Sequence, residues 1–368
     1  MELIYNNNSK KLPSEIELMR KFNVSRQTIR KAYDILKEKG FINSKQGRGY
    51  FKVENIYNSK INKKDTIAII LPFYNNYIFP EILQGIQDEL EDYYLYIRGT
   101  NNSVINETKI IKEISENDFI KGIIIEPTLD MVERDYEQIK IWNKLTNRQV
   151  PIVTIDSYYK FIDNSYVILD DHYGMKLAIE FLVNLNHKVI GGIFPITRVT
   201  GIRRKEGYRY YLKKYGIYDI KYELDIENIM ANNNEYLNIS NATEIENQIQ
   251  QCFEYPIDFL KYCLKNILND LNKATAWICF NDMIALILID ALREKGLSVP
   301  NDVSVIGFDD SIFSNISEIK LTTIWHPKYF MGKKAGQILK KLLSKRITKE
   351  KEIIKPRLII RDSAAKNI

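Results

Sequence analysis

The sequence predicts an α/β protein in two parts, an N-terminal winged helix-turn-helix and a larger two-lobed domain with parallel sheets. Three observations predict this organisation. Residues 1–53 show helical periodicity and then two short strand signals around a glycine-containing turn. From Thr66 onward, apolar runs alternate with amphipathic helical segments, which is typical of parallel sheets covered on both faces. Positive charge is concentrated near the N-terminus, because residues 1–64 hold 15 Lys and Arg against 6 Asp and Glu, whereas residues 65–368 hold 38 against 41.

Two capped helices are predicted first. Ser14 and Glu17 form an S-x-x-E capping box before an apolar stripe of Leu18, Met19 and Phe22. After an Asn23-Val24 turn, Ser25 caps a second helix, whose apolar face consists of Ile29, Ala32, Tyr33 and Leu36. The exposed first turn of this helix carries the predicted DNA-binding residues Ser25, Arg26, Gln27, Thr28 and Arg30. Arg and Gln can make paired hydrogen bonds to base edges and Ser or Thr can hold phosphate, so this turn suits the major groove.

A basic wing follows the second helix, which ends at Gly40. Phe41-Ile42 and Tyr50-Phe51 are strand signals around a turn. The predicted DNA-binding residues of the wing are Lys45, Gln46, Gly47, Arg48 and Gly49. The glycines permit positive φ and bring the backbone close to a duplex. A solvated basic face is the alternative, but the confinement of the positive surplus to this part favours double-stranded DNA as the partner.

Residues 54–65 are polar without sustained periodicity and are interpreted as a linker between domains 1–53 and 66–368. No apolar run approaches the roughly 20 residues that span a bilayer, and the N-terminus lacks the apolar segment of a signal peptide, which predicts a cytoplasmic protein. The three cysteines, Cys252, Cys263 and Cys279, have neither metal-ligand spacing nor a disulfide pattern.

The larger domain is predicted from its alternating runs. Strands are expected at 67–71, 94–97, 122–125, 152–155, 167–169, 189–194, 276–280 and 303–308. Helices are expected at 80–91, 105–116, 173–185, 202–215, 257–271, 282–295 and 331–343. Asp156-Ser157 and the 321–327 region are interpreted as crossings between two lobes. Residues 231–256 interrupt the rhythm and predict a polar surface excursion without chemistry.

Polar side chains follow several predicted strands, where open parallel sheets bind their ligands. These residues are Glu126, Asp156, Asn281, Asp282, Asp309 and Asp310, with Arg203 and Arg204 opening a helix after another strand. Carboxylates accept hydroxyl protons and Arg donates to oxygens, so the set suits a polyhydroxylated ligand. Aromatic side chains that could cover a sugar ring are Tyr74, Tyr77, Phe79 and Trp325. The pattern favours carbohydrate over nucleotide.

Each of these residues also has a structural interpretation. An Asp after a strand is often only a helix N-cap, which applies to Asp282 and Asp171. Arg204 could form an ordinary surface ion pair. Tyr77 and Phe79 could be core residues, and His326, before Pro327, could be structural.

The segments LPSE, VSRQTIRKA and QGRGYF resemble the GntR-type winged helix-turn-helix of bacterial regulators. Two positions depart from that pattern. Only MELIYNNNSKK precedes LPSE, so the full helix usual there is expected to be missing. Ile16 stands where the family commonly has an Arg, which removes one expected DNA contact.

Residues 66–365 resemble the LacI/GalR regulatory domain, itself similar to periplasmic sugar-binding proteins. The resemblance lies in ICFNDMIALILIDALREKGLSVPNDVSVIGFDD and in LTTI at 321–324. The residues it implies for effector binding are Asn281, Asp282, Asp309 and Arg204 on the C-terminal lobe, Glu126 on the N-terminal lobe, and His326 near the interlobe crossing. Tyr77 joins this predicted set as a ring-covering aromatic residue.

A GntR-type head joined to a LacI-type body is similar to the AraR arabinose repressors of low-GC Gram-positive bacteria. The segments YIFPEILQGI, GIIIEPT, SEIKLTTIWHPK and RLIIRDSA share this resemblance. It implies repression of pentose-utilisation genes that L-arabinose relieves. A homodimer is expected, because one winged head reads only a short half-site. Effector and operator are expected to weaken each other's binding through a closed two-lobe form.

A sugar-converting α/β enzyme fused to a DNA-binding head is the alternative function, and a DNA-binding transporter subunit or architectural protein is a third. The sequence has no G-x-x-x-x-G-K-[ST], no G-x-G-x-x-G after a strand and no G-x-S-x-G, and it has only three His. We therefore expect no enzyme activity, no catalytic residue, no metal ligand, no cofactor and no membrane partner.

Overall fold

The computed structural model describes residues 12–22, 24–38, 42–45, 49–52, 65–75, 77–128, 136–232, 257–269 and 271–367. Its contacts divide the chain into two units, Met1–Lys64 and Asp65–Ile368. Several sequence predictions lie outside the described residues: the segment before LPSE, most of the 54–65 linker and all but the first two residues of the 231–256 excursion.

The described residues of the first unit form two helices and an antiparallel strand pair. These are α1 (Glu15–Phe22), α2 (Arg26–Glu38), β1 (Ile42–Lys45) and β2 (Gly49–Lys52). The predicted capping box is confirmed, because the Ser14 N–H donates to Glu17 Oε2 at 2.7 Å and the Glu17 N–H donates to Ser14 Oγ at 3.3 Å. The core of the unit consists of Leu12, Leu18, Ile29, Tyr33 and Ile42. Of the predicted apolar positions, Phe22 and Ala32 are exposed instead.

The part of the second unit that the structure describes contains two six-stranded sheets. Its strands are β3 (Thr66–Leu71), β4 (Tyr94–Gly99), β5 (Ile120–Ile125), β6 (Ile152–Ile155), β7 (Ser165–Leu169), β8 (Ile190–Phe194), β9 (Glu223–Asp225), β10 (Ala276–Cys279), β11 (Ser304–Asp309), β12 (Thr322–Trp325), β13 (Lys351–Ile354) and β14 (Arg357–Ile359). Its helices are α3 (Phe79–Glu89), α4 (Val104–Ser115), α5 (Tyr136–Asn147), α6 (Asp171–Asn184), α7 (Val199–Lys214), α8 (Ile226–Ala231), α9 (Ile257–Leu268), α10 (Asp282–Glu294), α11 (Ile312–Ile316) and α12 (Lys328–Leu343).

Each sheet forms one lobe. The N-terminal lobe has strand order β13-β7-β6-β5-β3-β4, and all its strands are parallel. The C-terminal lobe has order β14-β12-β11-β10-β8-β9, in which only the edge strand β14 is antiparallel to its neighbour. The strands are apolar throughout because both faces are covered. In β3, for example, Ile67 and Ile69 belong to the core cluster that includes α3, whereas Ala68 and Ile70 belong to the cluster that includes α4.

Judged from its described strands, the chain crosses between the lobes three times, after β7, after β12 and between β13 and β14. The second crossing lies within the predicted 321–327 region, at His326-Pro327. The predicted crossing at Asp156-Ser157 is wrong, because β6 and β7 on either side of it are neighbours in one sheet. A polar pair after an apolar run marks the end of a strand, but it does not show whether the next strand returns to the same sheet.

Helices α3 and α12 pack with their backbones in close contact on the N-terminal lobe. An added Cβ at Gly332 would lie 2.0 Å from the Ile82 carbonyl oxygen, and one at Gly85 would lie 2.1 Å from the Tyr329 carbonyl oxygen. The two glycines therefore allow the crossing. Among the described residues, no helix combines the length and the apolar character that a membrane crossing requires.

Candidate functional site

The N-terminal turn of α2 presents the predicted DNA-binding residues at the surface of the first unit. Ser25, Arg26, Gln27, Thr28 and Arg30 are all exposed. Ser25 caps the helix, since its Oγ accepts from the Thr28 N–H at 3.2 Å. An exposed turn with two guanidinium groups, an amide and hydroxyls can reach base edges and phosphates.

Glu15, at the start of α1, orients the two arginines. Its carboxylate accepts from Arg26 Nε at 2.7 Å and from Arg30 Nε at 3.1 Å. The hydrogen bond from Arg26 is the main cause that lowers the pKa of Glu15. This role of Glu15 could not be predicted from the sequence, because the contacts join residues 11 and 15 positions apart on different helices.

The wing is described only in part. Lys45 and Gly49 pair across the ends of β1 and β2, and Gly49 has a positive φ of 99°, as the predicted turn requires. Gln46, Gly47 and Arg48 lie outside the described residues.

In the second unit, Arg204 is the centre of a buried polar cluster on the C-terminal lobe. It lies on α7 and is only 2% exposed. Its Nε donates to Asp171 Oδ1 at 2.9 Å, and its Nη1 donates to the Phe280 carbonyl at 2.6 Å and to Asp309 Oδ1 at 3.4 Å. The Cζ atom lies 3.5 Å from the centroid of the Phe308 ring. The surface ion pair considered for Arg204 is therefore wrong.

Asp309 connects this cluster to the N-terminal lobe. Its Oδ2 accepts from the Tyr77 hydroxyl at 2.7 Å, across the space between the lobes. Burial and the Asp309 carboxylate raise the pKa of Tyr77 well above its ordinary value, so the phenol keeps the proton that it donates. The structure thus brings three predicted residues, Tyr77, Arg204 and Asp309, into direct contact.

A second interlobe pair joins Asp156 to His326. The Asp156 Oδ1 and His326 Nε2 atoms are 3.2 Å apart, and His326 is fully buried. Burial alone would raise the pKa of Asp156, but His326 and the nearby guanidinium groups of Arg204 and Arg203 lower it below its ordinary value. Arg203 lies over the Tyr158 ring, with 4.9 Å between its Cζ and the ring centroid.

Asn281 and Asp282 have different structural roles at the start of α10. Asn281 is the N-cap, because its Oδ1 accepts from the Ile284 N–H at 2.9 Å. Asp282 accepts from the Ser311 N–H at 2.7 Å and from the Thr323 hydroxyl at 2.5 Å. Burial and the charge of Asp309 raise the pKa of Asp282 to about 7. The N-cap interpretation of Asp282 is wrong.

The same distinction holds at α6, where Asp170 and not Asp171 is the N-cap. Asp171 instead binds Arg204, and its burial raises its pKa to about 6. Asp171 was not among the polar residues at strand ends that were predicted to form the site.

The remaining predicted residues of the second unit differ in their burial and in their contacts. Glu126 follows β5 at its carboxyl end and is 8% exposed. Phe79 belongs to the hydrophobic core, which confirms the structural interpretation of this residue. Tyr74 is exposed, and Trp325 stacks with Arg357 at 4.5 Å from Cζ to the ring centroid.

Besides Asp171, the residues Lys328, Phe280 and Phe308 contact this cluster and were not predicted to act there. The two phenylalanines are the last apolar residues before Asn281 and Asp309, so their position at strand ends was a usable signal. Among the described residues, no group of three or more His, Cys, Asp or Glu side chains could hold a metal ion.

Comparison with known proteins identifies both parts of the chain. Residues 7–51 match the gntR family of bacterial regulatory proteins, and residues 179–364 match the periplasmic binding protein-like domain. The arabinose metabolism transcriptional repressor of Geobacillus stearothermophilus is 32% identical over 357 residues, covering 96% of this chain and 91% of the relative. That of Halalkalibacterium halodurans is 32% identical over 366 residues, with the same coverage of each chain.

Solved structures share the fold. The lac repressor dimer bound to operator and the anti-inducer ONPF superposes with a TM-score of 0.67 at 20% identity, covering 85% of this chain and 99% of that one. A LacI family regulator from Enterococcus faecium with bound ribose gives a TM-score of 0.64 at 22% identity, covering 82% of this chain and 100% of the other.

Proposed function

The chain belongs to the family of the arabinose metabolism transcriptional repressors and is a sugar-responsive repressor, and we propose that L-arabinose is its effector. On this proposal, a homodimer binds operator DNA in the cytoplasm through its paired heads and releases it when the sugar binds the second unit. No chemical step is needed, and we expect no turnover of sugar.

The observation that carries the proposal is the buried contact of Arg204, Asp309 and Tyr77 at the ends of the strands. A neutral polyol offers hydroxyl donors to carboxylates and oxygens to guanidinium groups and phenols. Asp156 and Asp171 add further carboxylates around Arg203 and Arg204, and that acidic surplus disfavours a phosphate or carboxylate ligand. The identity of the sugar rests on the names of the two relatives.

The effector proposal is tested by calorimetry with L-arabinose, D-xylose, D-ribose, D-galactose and their phosphates, followed by operator-release assays. We expect L-arabinose to bind most tightly and to release operator DNA, while the phosphates bind weakly. Tighter binding of another sugar would replace L-arabinose as the effector. Consumption of the bound sugar would favour the alternative of an enzyme.

The DNA half is tested by Arg26→Ala, which removes an exposed guanidinium from the first turn of α2. We expect a loss of about 1–3 kcal/mol in specific operator affinity, the usual value of a good base contact. Lys37→Ala, near the other end of the same helix, is the matched control and should change affinity little. Gel-shift titration measures both variants, and equal affinities for Arg26→Ala and the parent would refute the recognition-helix assignment.

A further inference from the structure

The turn at the end of β11 has an unusual backbone. Asp309 and Asp310 are consecutive non-glycine residues with positive φ, 105° and 47°. Such conformations are costly for residues with a Cβ and persist only where the surroundings hold them. The orientation of the Asp309 carboxylate toward Arg204 and Tyr77 depends on this turn, because the side chain leaves from its first residue.

The amide groups of the turn are held by side chains of the C-terminal lobe. The Asp310 N–H donates to Thr323 Oγ1 at 3.3 Å, and the Ser311 N–H donates to Asp282 Oδ2 at 2.7 Å. Thr323 lies on β12, the neighbour of β11 in the same sheet, and Asp282 begins α10, which packs on that sheet. They fix the turn against its own lobe but leave its carbonyl groups to other donors.

Lys328 supplies the partner of both carbonyl groups from the other side of the interlobe crossing. Its Nζ donates to the Asp309 carbonyl at 3.0 Å and to the Asp310 carbonyl at 2.7 Å. The residue begins α12, which packs on α3 of the N-terminal lobe, and it is only 6% exposed. Its Nζ also lies 3.8 Å from Oε1 of Glu81.

A lysine suits this place for a chemical reason. Its ammonium group has three donors in a compact head, so it can serve two adjacent carbonyl groups, which the broad guanidinium fork fits less well. Buried carbonyl groups need partners, and the His326 N–H also donates to the Asp309 carbonyl, at a longer 3.4 Å. Without the ammonium group, the left-handed turn loses its shortest interlobe contacts.

We propose that Lys328 is a positioning residue for effector binding, which holds the Asp309–Asp310 turn so that the Asp309 carboxylate meets the sugar. This inference rests on the proposed function, because it assumes that Asp309 binds the effector. It goes further in assigning a role to a residue of α12 that needs no contact with the sugar itself.

The test compares Lys328→Met with Lys333→Met. Lys333 lies five residues further along the same helix, and its Nζ lies over the Tyr329 ring. Methionine keeps the length and apolar stem of lysine but removes the donors. We expect Lys328→Met to weaken L-arabinose binding about tenfold or more, the usual effect of losing a charge-assisted hydrogen bond, while operator binding without sugar is unchanged. Lys333→Met should bind the sugar like the parent.

A double variant separates positioning from general stability. If Lys328 acts through Asp309, Lys328→Met should cost little further affinity in an Asp309→Asn background, where the carboxylate is already lost. Full additivity of the two losses would overturn the proposal, as would parent-like binding by Lys328→Met. If the methionine variant fails to fold by circular dichroism, Lys328→Gln takes its place in the same cycle. Absence of L-arabinose binding by the parent would instead overturn the proposed function.

Discussion

Tyr77, Asp156 and Asp309 combine a left-handed backbone with a role in the contacts between the lobes. Their φ angles are 54°, 58° and 105°. Strain of this kind costs of order 1–3 kcal/mol per residue and is usually found where function requires an orientation that relaxed backbone would not give. Here each strained residue directs its side chain at a group on the other lobe, so the strain supports assigning the space between the lobes to the effector.

Replacement of Asp309 should affect the sugar response selectively. Asp309→Asn keeps the shape of the side chain but removes the charge that faces Arg204, so we expect a loss of about 1–3 kcal/mol in L-arabinose affinity. At sugar concentrations that release the parent, the variant should remain on operator DNA. Calorimetry and an operator-release assay measure the two effects.

Arg204→Ala should lose the response as well, but it leaves Asp171 and Asp309 buried without their shared cation and should also lower the melting temperature. Arg209→Ala, on the same helix and paired with Glu223, is the control and should respond normally. Normal release by both Asp309→Asn and Arg204→Ala would return these residues to a purely structural role.

Asp282 predicts a pH dependence of stability. Its pKa in the folded protein is about 7, above its ordinary value of 3.8, because of burial and the Asp309 charge. The proton is therefore bound more tightly in the folded state, and the stability that it contributes is fully present below pH 3.8 and is lost as the pH rises through about 7.

Asp282→Asn keeps this position neutral at every pH, with an oxygen for the Ser311 N–H and an amide for the Thr323 hydroxyl. From pH 5, the stability of the parent relative to this variant should therefore fall by up to about 1.4 kcal/mol per pH unit until the pH reaches about 7, and it should have levelled off by about pH 8.5. Melting temperatures of both proteins across this range measure the effect. Asp290→Asn alters a surface ion pair on the same helix, and the parent should show no such trend relative to this variant. If Asp282 were ionised throughout this pH range, the parent would show no such trend relative to Asp282→Asn either.

At the scale of elements, apolar runs and helix caps were sufficient to predict the helices and strands over most of the chain. The helix predicted at 105–116 is Val104–Ser115, and its N-cap is Ser103. The short edge strands β9, β13 and β14 were not predicted, because they have three or four residues that are at most partly apolar and are defined by their pairing partners. Helix α5 was missed as well, since its buried Trp142 and Leu145 stand among polar residues.

The close crossing of α3 and α12 leads to a prediction about two glycines of α12. Alanine favours a helix by about 1 kcal/mol over glycine, but a Cβ at position 332 would lie 2.0 Å from the Ile82 carbonyl oxygen. We expect Gly332→Ala to destabilise the protein by about 1–3 kcal/mol, because the helix backbones must move apart. A Cβ at position 336 would lie 2.9 Å from the Cβ and Cγ atoms of Glu89, a milder overlap that involves no backbone atom, so Gly336→Ala should destabilise the protein less than Gly332→Ala. Urea unfolding compares the two variants, and equal stabilities would mean that the crossing has room to relax.

At the scale of the whole molecule, the sequence was enough to predict which residues stand at strand ends but not which of them touch. Tyr77 and Asp309 are 232 positions apart, and only the closure of two lobes brings them together. Asp282 was predicted to line the effector cleft, yet its two carboxylate oxygens accept from Ser311 and Thr323 of neighbouring elements. Contacts of this range depend on the packed fold, whereas strand ends depend on local pattern.

The last prediction concerns coupling between the two activities. If L-arabinose and operator DNA favour different states of one protein, each must weaken the other's binding by the same factor. The dissociation constant for operator, measured with and without saturating L-arabinose, should therefore change by the same ratio as the dissociation constant for L-arabinose measured with and without operator duplex. Asp309→Asn should leave operator affinity unchanged by sugar at concentrations that saturate the parent. Unequal ratios for the parent would mean that a further bound species takes part, whereas a ratio of one in both directions would mean that sugar binding in the second unit does not control the DNA-binding head.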